Sequence, residues 1–424
     1  GEFALCLVDL EAGRIILAVD TFGSKPLFYG RTEDPAIARA SPSGEDAAFG
    51  VASYRSVLVA VLGAAPVRRV PPNTILVFDR DLRLLERRVV FEFDLRQRKS
   101  LLIDWHKALE AAVLRRAGPT HLRRPLFLGL SAGYDSGALH AALQRLRLGH
   151  TAYIVAARED PGLLRRRVRF GMLVSAAGPG RPSALPTRSR VLQLSEEALA
   201  REAHWVRGHA EPHAYEGGRA GSSHEDPAAW GLSALCRDAR ARGGHAALLS
   251  AAGGDELFSD YGHPRSYAGT EQPEFGRLFG LFPPTLSGVF PWRNFFLGSQ
   301  LDFLMKEETV AGAHGVEARF PFLDRRVVQE FLWTSWEAKN RHYKAPIHTY
   351  MASVGYPFSA PLPLDAHVFR DRWVYMASEF RRGFNAQHQL LASRAAIVTD
   401  FASAGRFCQS CFDRCWAGVE SRAR

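Results

Sequence analysis

The 424-residue chain has few cysteines, few lysines and no long apolar run, and each shortage excludes a class of protein. Five cysteines are too few for a disulfide framework in a chain of this length. The nearest approach to a membrane helix, 276–298, is interrupted by Pro283, Pro284 and Pro291, and no uninterrupted apolar run reaches the ~20 residues that a span needs. We therefore expect no membrane partner and interpret 276–298 as an aromatic-rich packing or lid segment.

Lysine is scarce in a chain that is nevertheless basic, with a formal net charge of +10. The six lysines are Lys25, Lys99, Lys107, Lys306, Lys339 and Lys344. The arginines are spread along the whole chain instead of forming a basic stripe, so nucleic-acid binding is not expected. Arg-rich pieces such as "LLRRRVRF" (163–170) either bind anions or form solvated helix faces.

The first residues, "GEFALCLVDL", have no initiator Met and already show the alternation of a strand. They show no signal-peptide pattern. We expect a fragment whose start lies upstream, from a soluble cytoplasmic protein. Near the other end, Cys408, Cys411 and Cys415 could begin a zinc or iron–sulfur site, but no fourth ligand is adjacent. We interpret them as incidental thiols of a C-terminal helix.

The pattern of apolar residues changes along the chain. Up to about residue 94 it is mostly β, with strands in 3–30 and a hairpin that begins with "NTILVFD" (73–79). An amphipathic helix is predicted over 101–117. From residue 125, strand–turn–helix units follow, which predicts an α/β fold with a parallel sheet. Residues 177–189 are predicted as a loop from their Gly, Pro and Ser content.

Two predicted strands end in loops that carry acidic residues. "SAGYDS" (131–136) joins the strand "PLFLGL" to a helix predicted from Gly137, and "SAAGGDELF" (250–258) follows the strand "HAALLS". In a parallel sheet, ligands bind where strands end and helices begin. Small residues let backbone N–H groups approach a phosphate, and Asp135 and Asp255 would tolerate a phosphate if a divalent cation lay between them.

The first loop has a second interpretation. Gly129-Leu130-Ser131-Ala132-Gly133 fits the G-x-S-x-G elbow of serine hydrolases, with Ser131 as the nucleophile. No H-G-G-G-type segment precedes Ser131, and this hypothesis leaves Asp135 and the second loop without a role. The nucleotide-binding hypothesis explains both.

Four stretches, in order, give the chain its resemblance to the glutamine-dependent (class B) asparagine synthetase superfamily, which includes β-lactam synthetases and lasso-peptide cyclases. They are "FALCLVDLEAGRIILAVDTFGSKPLFYG" (3–30), "LSAGYDSG" (130–137), "LLSAAGGDELFSDYG" (248–262) and "GAHGVEARFPFLDRRVVQEF" (312–331). Downstream, "NRHYKAP" (340–346) resembles the segment that holds the family's catalytic lysine. The resemblance implies a partial, mostly β, Ntn-type glutaminase-like domain (1–95). It implies an α/β PP-loop synthetase domain (96–424), similar to adenine nucleotide alpha hydrolases.

The resemblance also implies a site and a reaction. A carboxylate would attack the α-phosphorus of ATP, giving an acyl-adenylate and pyrophosphate, and ammonia or an amine would then attack the acyl carbon. Lys344, Asp135, Asp255 and Glu256 would be catalytic, and Asp135 and Asp255 would hold Mg²⁺. The implied nucleotide contacts are Leu130, Ser131, Gly133, Asp135, Ser136, Ser250, Gly253, Gly254 and Arg319. Arg319 could equally pair with Glu317.

Three departures limit the resemblance. Ala132 replaces a loop glycine, and Ala252 stands where asparagine synthetases typically have Glu and β-lactam synthetases Tyr. The family's N-terminal Cys would precede Gly1, so we expect no glutamine hydrolysis by the chain as given. The acyl substrate therefore stays open between aspartate and another acid, as does the choice between a ligase and a non-catalytic ATP-binding module. A homodimer is compatible with each of these.

Overall fold

The computed structural model describes residues 1–32, 48–63, 65–121, 125–155, 159–176, 188–216, 221–260 and 281–359. The chain divides into two compact units, Gly1–Phe93 and Asp94–Arg424. The domain assignment made from the sequence, 1–95 and 96–424, stays a prediction. Cys408, Cys411 and Cys415 lie outside the described residues.

The described part of the first unit is built mainly from antiparallel strands. Its elements are β1 (Ala4–Asp9), β2 (Arg14–Val19), β3 (Phe28–Thr32), β4 (Ala48–Ala52), α1 (Arg55–Leu62), β5 (Val67–Arg69), β6 (Thr74–Phe78) and β7 (Leu84–Val89). One sheet has the order β1-β2-β6-β7 and the other β4-β3-β5. Leu17, Val19, Leu76 and Phe78 are buried in a core that also receives side chains from the smaller sheet. The strands and the hairpin predicted in this region are confirmed.

The second unit alternates helices and strands. Its described elements are α2 (Ile103–His121), β8 (Leu126–Gly129), α3 (Tyr134–Arg145), β9 (Thr151–Val155), α4 (Pro161–Ala176), β10 (Arg188–Leu192), α5 (Glu196–His209), α6 (Pro227–Gly243), β11 (Ala247–Leu249), α7 (Gly254–Phe258), α8 (Arg293–Phe296), α9 (Ser299–Ala313), β12 (Glu317–Arg319), α10 (Arg325–Trp333), α11 (Trp336–Asn340) and α12 (Ala345–Ser353). A 3₁₀ turn covers Pro321–Leu323.

The five strands of this unit form a parallel sheet of order β10-β9-β8-β11-β12. From β8 the chain first adds β9 and β10 on one side and later adds β11 and β12 on the other. The order therefore reverses between β8 and β11, and such a reversal opens a crevice at the carboxyl ends of the two strands. The loops that leave β8 and β11 are the two acidic loops.

Local signals explain where the helices begin and end. Helix α6 begins after Asp226, whose carboxylate accepts from the N–H of Ala228 at 2.9 Å. It ends at Gly244, which has a left-handed backbone (φ 60°). Ser195 caps α5 in the same way, because its hydroxyl accepts from the N–H of Ala198 at 3.2 Å.

Three boundaries differ from the predictions. Helix α3 begins at Tyr134 instead of Gly137, so Asp135 and Ser136 lie in its first turn. Helix α2 runs on to His121. The loop predicted over 177–189 is wrong at its end, because Arg188 and Ser189 pair with β9; the rest of that stretch is outside the described residues.

The aromatic segment predicted over 276–298 packs, in its described part, beside the second acidic loop. Phe282, Trp292 and Phe295 are buried, and the ring centroids of Trp292 and Phe295 are 4.8 Å apart. The indole N–H of Trp292 donates to the carbonyl of Glu256 at 2.7 Å. The packing role is confirmed, and it supports α7. In the described ranges, no helix is long and apolar enough to cross a membrane.

Candidate active site

The first acidic loop is held by its own two serines. The hydroxyls of Ser131 and Ser136 are 2.8 Å apart, and the N–H of Ser131 donates to Ser136 Oγ at 3.1 Å. Ser131 Oγ also accepts from the N–H of Gly133 at 3.1 Å. Leu130 extends the sheet by donating its N–H to the carbonyl of Tyr153 at 2.7 Å. Both serines therefore fix the shape of the loop.

This arrangement does not activate Ser131 as a nucleophile. A serine nucleophile needs a base within hydrogen-bond reach. Within the part of the chain that the structure describes, the partners of Ser131 Oγ are Ser136 and Gly133, and no histidine contacts it. The geometry favours the phosphate-loop interpretation over the hydrolase elbow.

The peptide groups of the same loop have charged partners on both sides. The guanidinium of Arg167 donates to the carbonyls of Ser131 and Gly133, the latter at 2.8 Å. The N–H of Ala132 donates to the carboxylate of Glu159. A carboxylate on this N–H shows that the loop offers a backbone donor to an anion.

The second acidic loop is shaped by its glycines and by a helix cap. Gly253 has φ 97°, and a Cβ there would lie 2.5 Å from Leu323 Cδ2, so only glycine fits without strain. The Glu256 carboxylate accepts from the N–H of Gly253 at 3.1 Å and so caps α7. Ser250 Oγ accepts from the N–H of Ala252 at 3.0 Å.

The two loops meet at Gly254. A Cβ on this residue would lie 2.3 Å from Cγ of Asp135. The glycine therefore leaves room for the Asp135 carboxylate against the backbone of α7. Sequence reasoning assigned Gly254 to phosphate binding, and the structure adds that it seats the first loop's aspartate.

Lys344 connects both aspartates. Its Nζ lies 2.8 and 2.6 Å from the two oxygens of Asp135 and 2.7 Å from Oδ1 of Asp255. The Lys344 side chain is only 3 % exposed, whereas that of Asp255 is 39 % exposed. Tyr343 OH donates to Asp255 Oδ1 at 3.3 Å. Two of the predicted catalytic residues, Asp135 and Asp255, thus converge on the ammonium group of a third, Lys344.

The backbone of Lys344 has an uncommon conformation. It immediately precedes α12 with φ 45° and ψ 54°, in the left-handed region. A non-glycine residue pays a conformational cost there, and such residues are more frequent at functional sites. The bonds to two carboxylates offset that cost in this case.

The electrostatics of the cluster keep the lysine charged. Burial lowers the pKa of Lys344, but Asp135 and Asp255 raise it more, to well above its ordinary value. The pKa of Asp135 rises to about 7, because burial and the Asp255 carboxylate outweigh the opposing effect of Lys344. The cluster therefore keeps a positive charge on Lys344 between two acidic side chains.

Arg319 and Glu256 have structural partners of their own. The guanidinium of Arg319 donates to the Glu317 carboxylate at 3.0 and 3.1 Å and to the carbonyl of Arg116. Its main-chain carbonyl accepts from the N–H of Ser250 at 2.8 Å, which ties β12 to the second loop. The assignment of Arg319 to nucleotide and of Glu256 to catalysis stays a prediction.

Sequence reasoning missed the aromatic side chains beside the cluster. Tyr134 OH lies 3.2 Å from Nδ1 of His348, and its ring centroid is 5.8 Å from that of Tyr343. Burial lowers the pKa of His348 to about 4, so the imidazole is neutral at pH 7. The nearness of Tyr343 to Lys344 in sequence was the available signal for one of these residues, while His348 gave none.

The two aspartates of the cluster have the donor chemistry that Mg²⁺ prefers. In the described ranges, no group of three or more His, Cys, Asp or Glu side chains could hold a metal by itself. Asp135 and Asp255 nevertheless converge on one cation, the Lys344 ammonium. Mg²⁺ is often bound by one or two carboxylates together with substrate phosphates and water. Two carboxylates next to a phosphate-type loop fit that ion.

The fold and the site define an α/β protein, with antiparallel sheets first and a parallel sheet later, that gathers a lysine and two aspartates at a sheet crevice. Two family models match the chain: a glutamine amidotransferase domain over residues 1–44 and asparagine synthase over residues 292–352. The second match contains Arg319 and Lys344, and both acidic loops precede it. No curated protein matches the chain.

The two matches support an asparagine synthetase-like family with a partial glutaminase domain at the N-terminal side. These matches also support a ligase of the asparagine synthetase kind, with ATP-dependent amide synthesis as the general activity. The resemblance on which the sequence prediction was based is confirmed.

Proposed function

We propose that the chain forms an amide from a small-molecule carboxylate in two steps. The carboxylate oxygen attacks the α-phosphorus of ATP, and the bond to the bridging oxygen breaks to release pyrophosphate. Ammonia or an amine then attacks the acyl carbon of the acyl-adenylate, and AMP leaves. The observation that carries this proposal is the convergence of Asp135 and Asp255 on the Nζ of Lys344.

The nucleotide would bind at the carboxyl ends of β8 and β11, in a PP-loop arrangement. The N-terminus of α3 lies at the end of the first loop, and the N–H groups at a helix N-terminus are suited to donate to phosphate oxygens. Leu130, Ser131, Gly133 and Ser136 form that loop. The glycines of the second loop, with Ser250, allow the backbone to approach from the other side.

Asp135 and Asp255 would hold Mg²⁺, which neutralises charge on the leaving pyrophosphate when it is bound. Their oxygens already contact one cation, the ammonium group of Lys344. The donor chemistry is appropriate, because both are hard carboxylate ligands. When the ion is bound, Lys344 would exchange one carboxylate contact for a phosphate oxygen.

Lys344 would stabilise the transition state of the first step. A fixed cation stabilises a transition state most strongly where negative charge develops in a site with little water. Lys344 fits this role because it is buried and stays protonated. Its left-handed backbone sets the direction of the side chain before the substrate arrives. Reorganisation during the reaction is therefore small.

The second step has a different character from that of ordinary asparagine synthetases. Ala252 offers no acid or base, although its N–H is fixed by Ser250. The missing glutamate favours, as the second candidate, an amide-forming cyclase or ligase that acts on a carboxylate other than aspartate, although Ala252 also differs from the Tyr of β-lactam synthetases. A neutral base near the loop, His348, is available to either reaction.

Pyrophosphate release from MgATP across a panel of carboxylates, with ammonia or amines, tests the proposal. We expect release with at least one acid, and its loss in Asp135→Ala and Lys344→Ala but not in Lys107→Ala, whose lysine is exposed. An amide made from aspartate alone would exclude the second candidate. A chain that binds MgATP but gives no AMP with any acid would instead be a nucleotide-binding module.

A further inference from the structure

Arg167 is a completely buried arginine on α4, and its guanidinium lies behind the first acidic loop. It donates to the carbonyls of Ser131 and Gly133, as described above, and Nε donates to the carbonyl of Pro357 at 3.1 Å. Its guanidinium carbon is 5.3 Å from the ring centroid of Tyr356. The neighbouring Arg165 and Arg166 are exposed, so one residue of the Arg-rich piece has a distinct role.

The position of Arg167 determines which way the loop peptides face. In a planar trans peptide, the C=O and the N–H point in opposite directions. Because Arg167 holds the carbonyls of Ser131 and Gly133, the N–H groups of Ala132 and Tyr134 point away from it. The N–H of Ala132 meets the Glu159 carboxylate on that opposite side.

Gly137 shows that the guanidinium is seated closely against α3. A Cβ on Gly137 would lie 2.7 Å from Nη2 and 2.8 Å from Cζ of Arg167. The arginine is therefore fixed between α3 on one side and the Tyr356 ring and Pro357 carbonyl on the other. A side chain held in this way acts on the shape of the loop without reaching its opposite face.

We propose that Arg167 is a positioning residue, which orients the loop N–H groups toward the phosphates of the nucleotide. The inference rests on the proposed function, since it assigns a cause to the shape of the same nucleotide loop. Arginine suits the role because its planar fork can hold two carbonyls at once and stays charged. A lysine has three donors on one atom and cannot reproduce that spacing.

The test compares Arg167→Met, Arg167→Lys and Gly137→Ala with the matched control Arg165→Met in the full chain. Equilibrium titration with MgATP alone gives the dissociation constant, steady-state assays give KM and kcat, and circular dichroism checks the fold. We expect Arg167→Met to weaken MgATP binding roughly tenfold to a hundredfold. Arg167→Lys and Gly137→Ala should fall between that variant and the wild type. KM should rise for ATP but not for the carboxylate.

The results distinguish a failure of the role of Arg167 from a failure of the proposed function. If Arg167→Met does not fold, Arg167→Lys and Gly137→Ala carry the comparison. Folded variants that bind MgATP within twofold of the wild type and Arg165→Met would overturn the role of Arg167 alone. A wild-type chain that binds no MgATP would overturn the proposed function and the inference together.

Discussion

The two acidic loops supply one aspartate each to the same lysine, but they are stabilised differently. In addition to the contacts of its own serines, the loop after β8 has charged partners from outside, since Arg167 contacts its carbonyls and Glu159 accepts from an N–H. The loop after β11 depends mostly on its own residues, through the left-handed Gly253 and the Glu256 cap. The first loop should therefore respond to changes far away in the sequence, and the second to changes within itself.

Lys344→Ala should have the largest effect, because it removes the contact that the two loops share. Loss of a preorganised charge of this kind costs roughly a thousandfold in kcat. The change also leaves two carboxylates together without a cation, so stability should fall as well. Turnover by pyrophosphate release, with Lys107→Ala as the exposed control, measures the effect; a loss below tenfold would contradict the account.

Asp135→Asn should lower activity more than Asp255→Asn does, so the aspartates of the two loops are not equivalent. Asp135 contacts Lys344 through both of its oxygens, whereas Asp255 does so through one and is more exposed. We expect losses in kcat/KM for MgATP of roughly a hundredfold and roughly tenfold, respectively. Asp104→Asn, which breaks a surface ion pair with Lys99, should change activity little. Equal losses at the two aspartates would refute the asymmetry.

Gly254→Ala, a change in the second loop, should displace Asp135 of the first loop. The new methyl group would press against Asp135 and move its carboxylate from Lys344, so we expect roughly a tenfold loss of kcat/KM for MgATP. Gly231→Ala on α6 is the matched control, since no atom lies within 4 Å of the added carbon. That change should stabilise the helix by ~0.5–1 kcal/mol and leave activity as it is. Similar kinetics for the two variants would contradict the contact.

The Glu256→Gln variant distinguishes a helix-capping role of Glu256 from a catalytic role. The glutamine oxygen can still accept from the N–H of Gly253, so the structural role predicts activity within about threefold of the wild type. Glu256→Ala removes the acceptor and should lower the free energy of unfolding by ~1 kcal/mol. Should Glu256→Gln lose activity a hundredfold, the carboxylate would be catalytic, as the resemblance first implied.

Local patterns predicted much of the fold and part of the site. Alternating residues predicted β1 and β2, and apolar runs followed by small-residue turns predicted β8 and β11. The acidic loops followed because parallel strands of one sheet end at a common edge. Each of these signals lies within a few consecutive residues, and such a signal can predict a strand or a turn that is equally short.

The rest of the site could not be predicted from short stretches, because it depends on contacts between residues that are far apart in the sequence. Lys344 and Asp135 are 209 positions apart, and only the resemblance placed the lysine near the loops. Arg167 looked like its exposed neighbours, because arginine is rarely buried unless tertiary partners satisfy it. The prediction begins α3 at Gly137 instead of Tyr134, because it assigns all of 131–136 to a tight turn.

The central claim is that a carboxylate oxygen attacks the α-phosphorus of ATP at the Lys344 cluster. The most direct measurement uses a carboxylate substrate labelled with ¹⁸O and follows the label by mass spectrometry of the nucleotide products. We predict that the wild type produces AMP containing one ¹⁸O together with unlabelled pyrophosphate, and that Lys344→Ala produces neither. Label in inorganic phosphate with ADP as the nucleotide product would contradict the account.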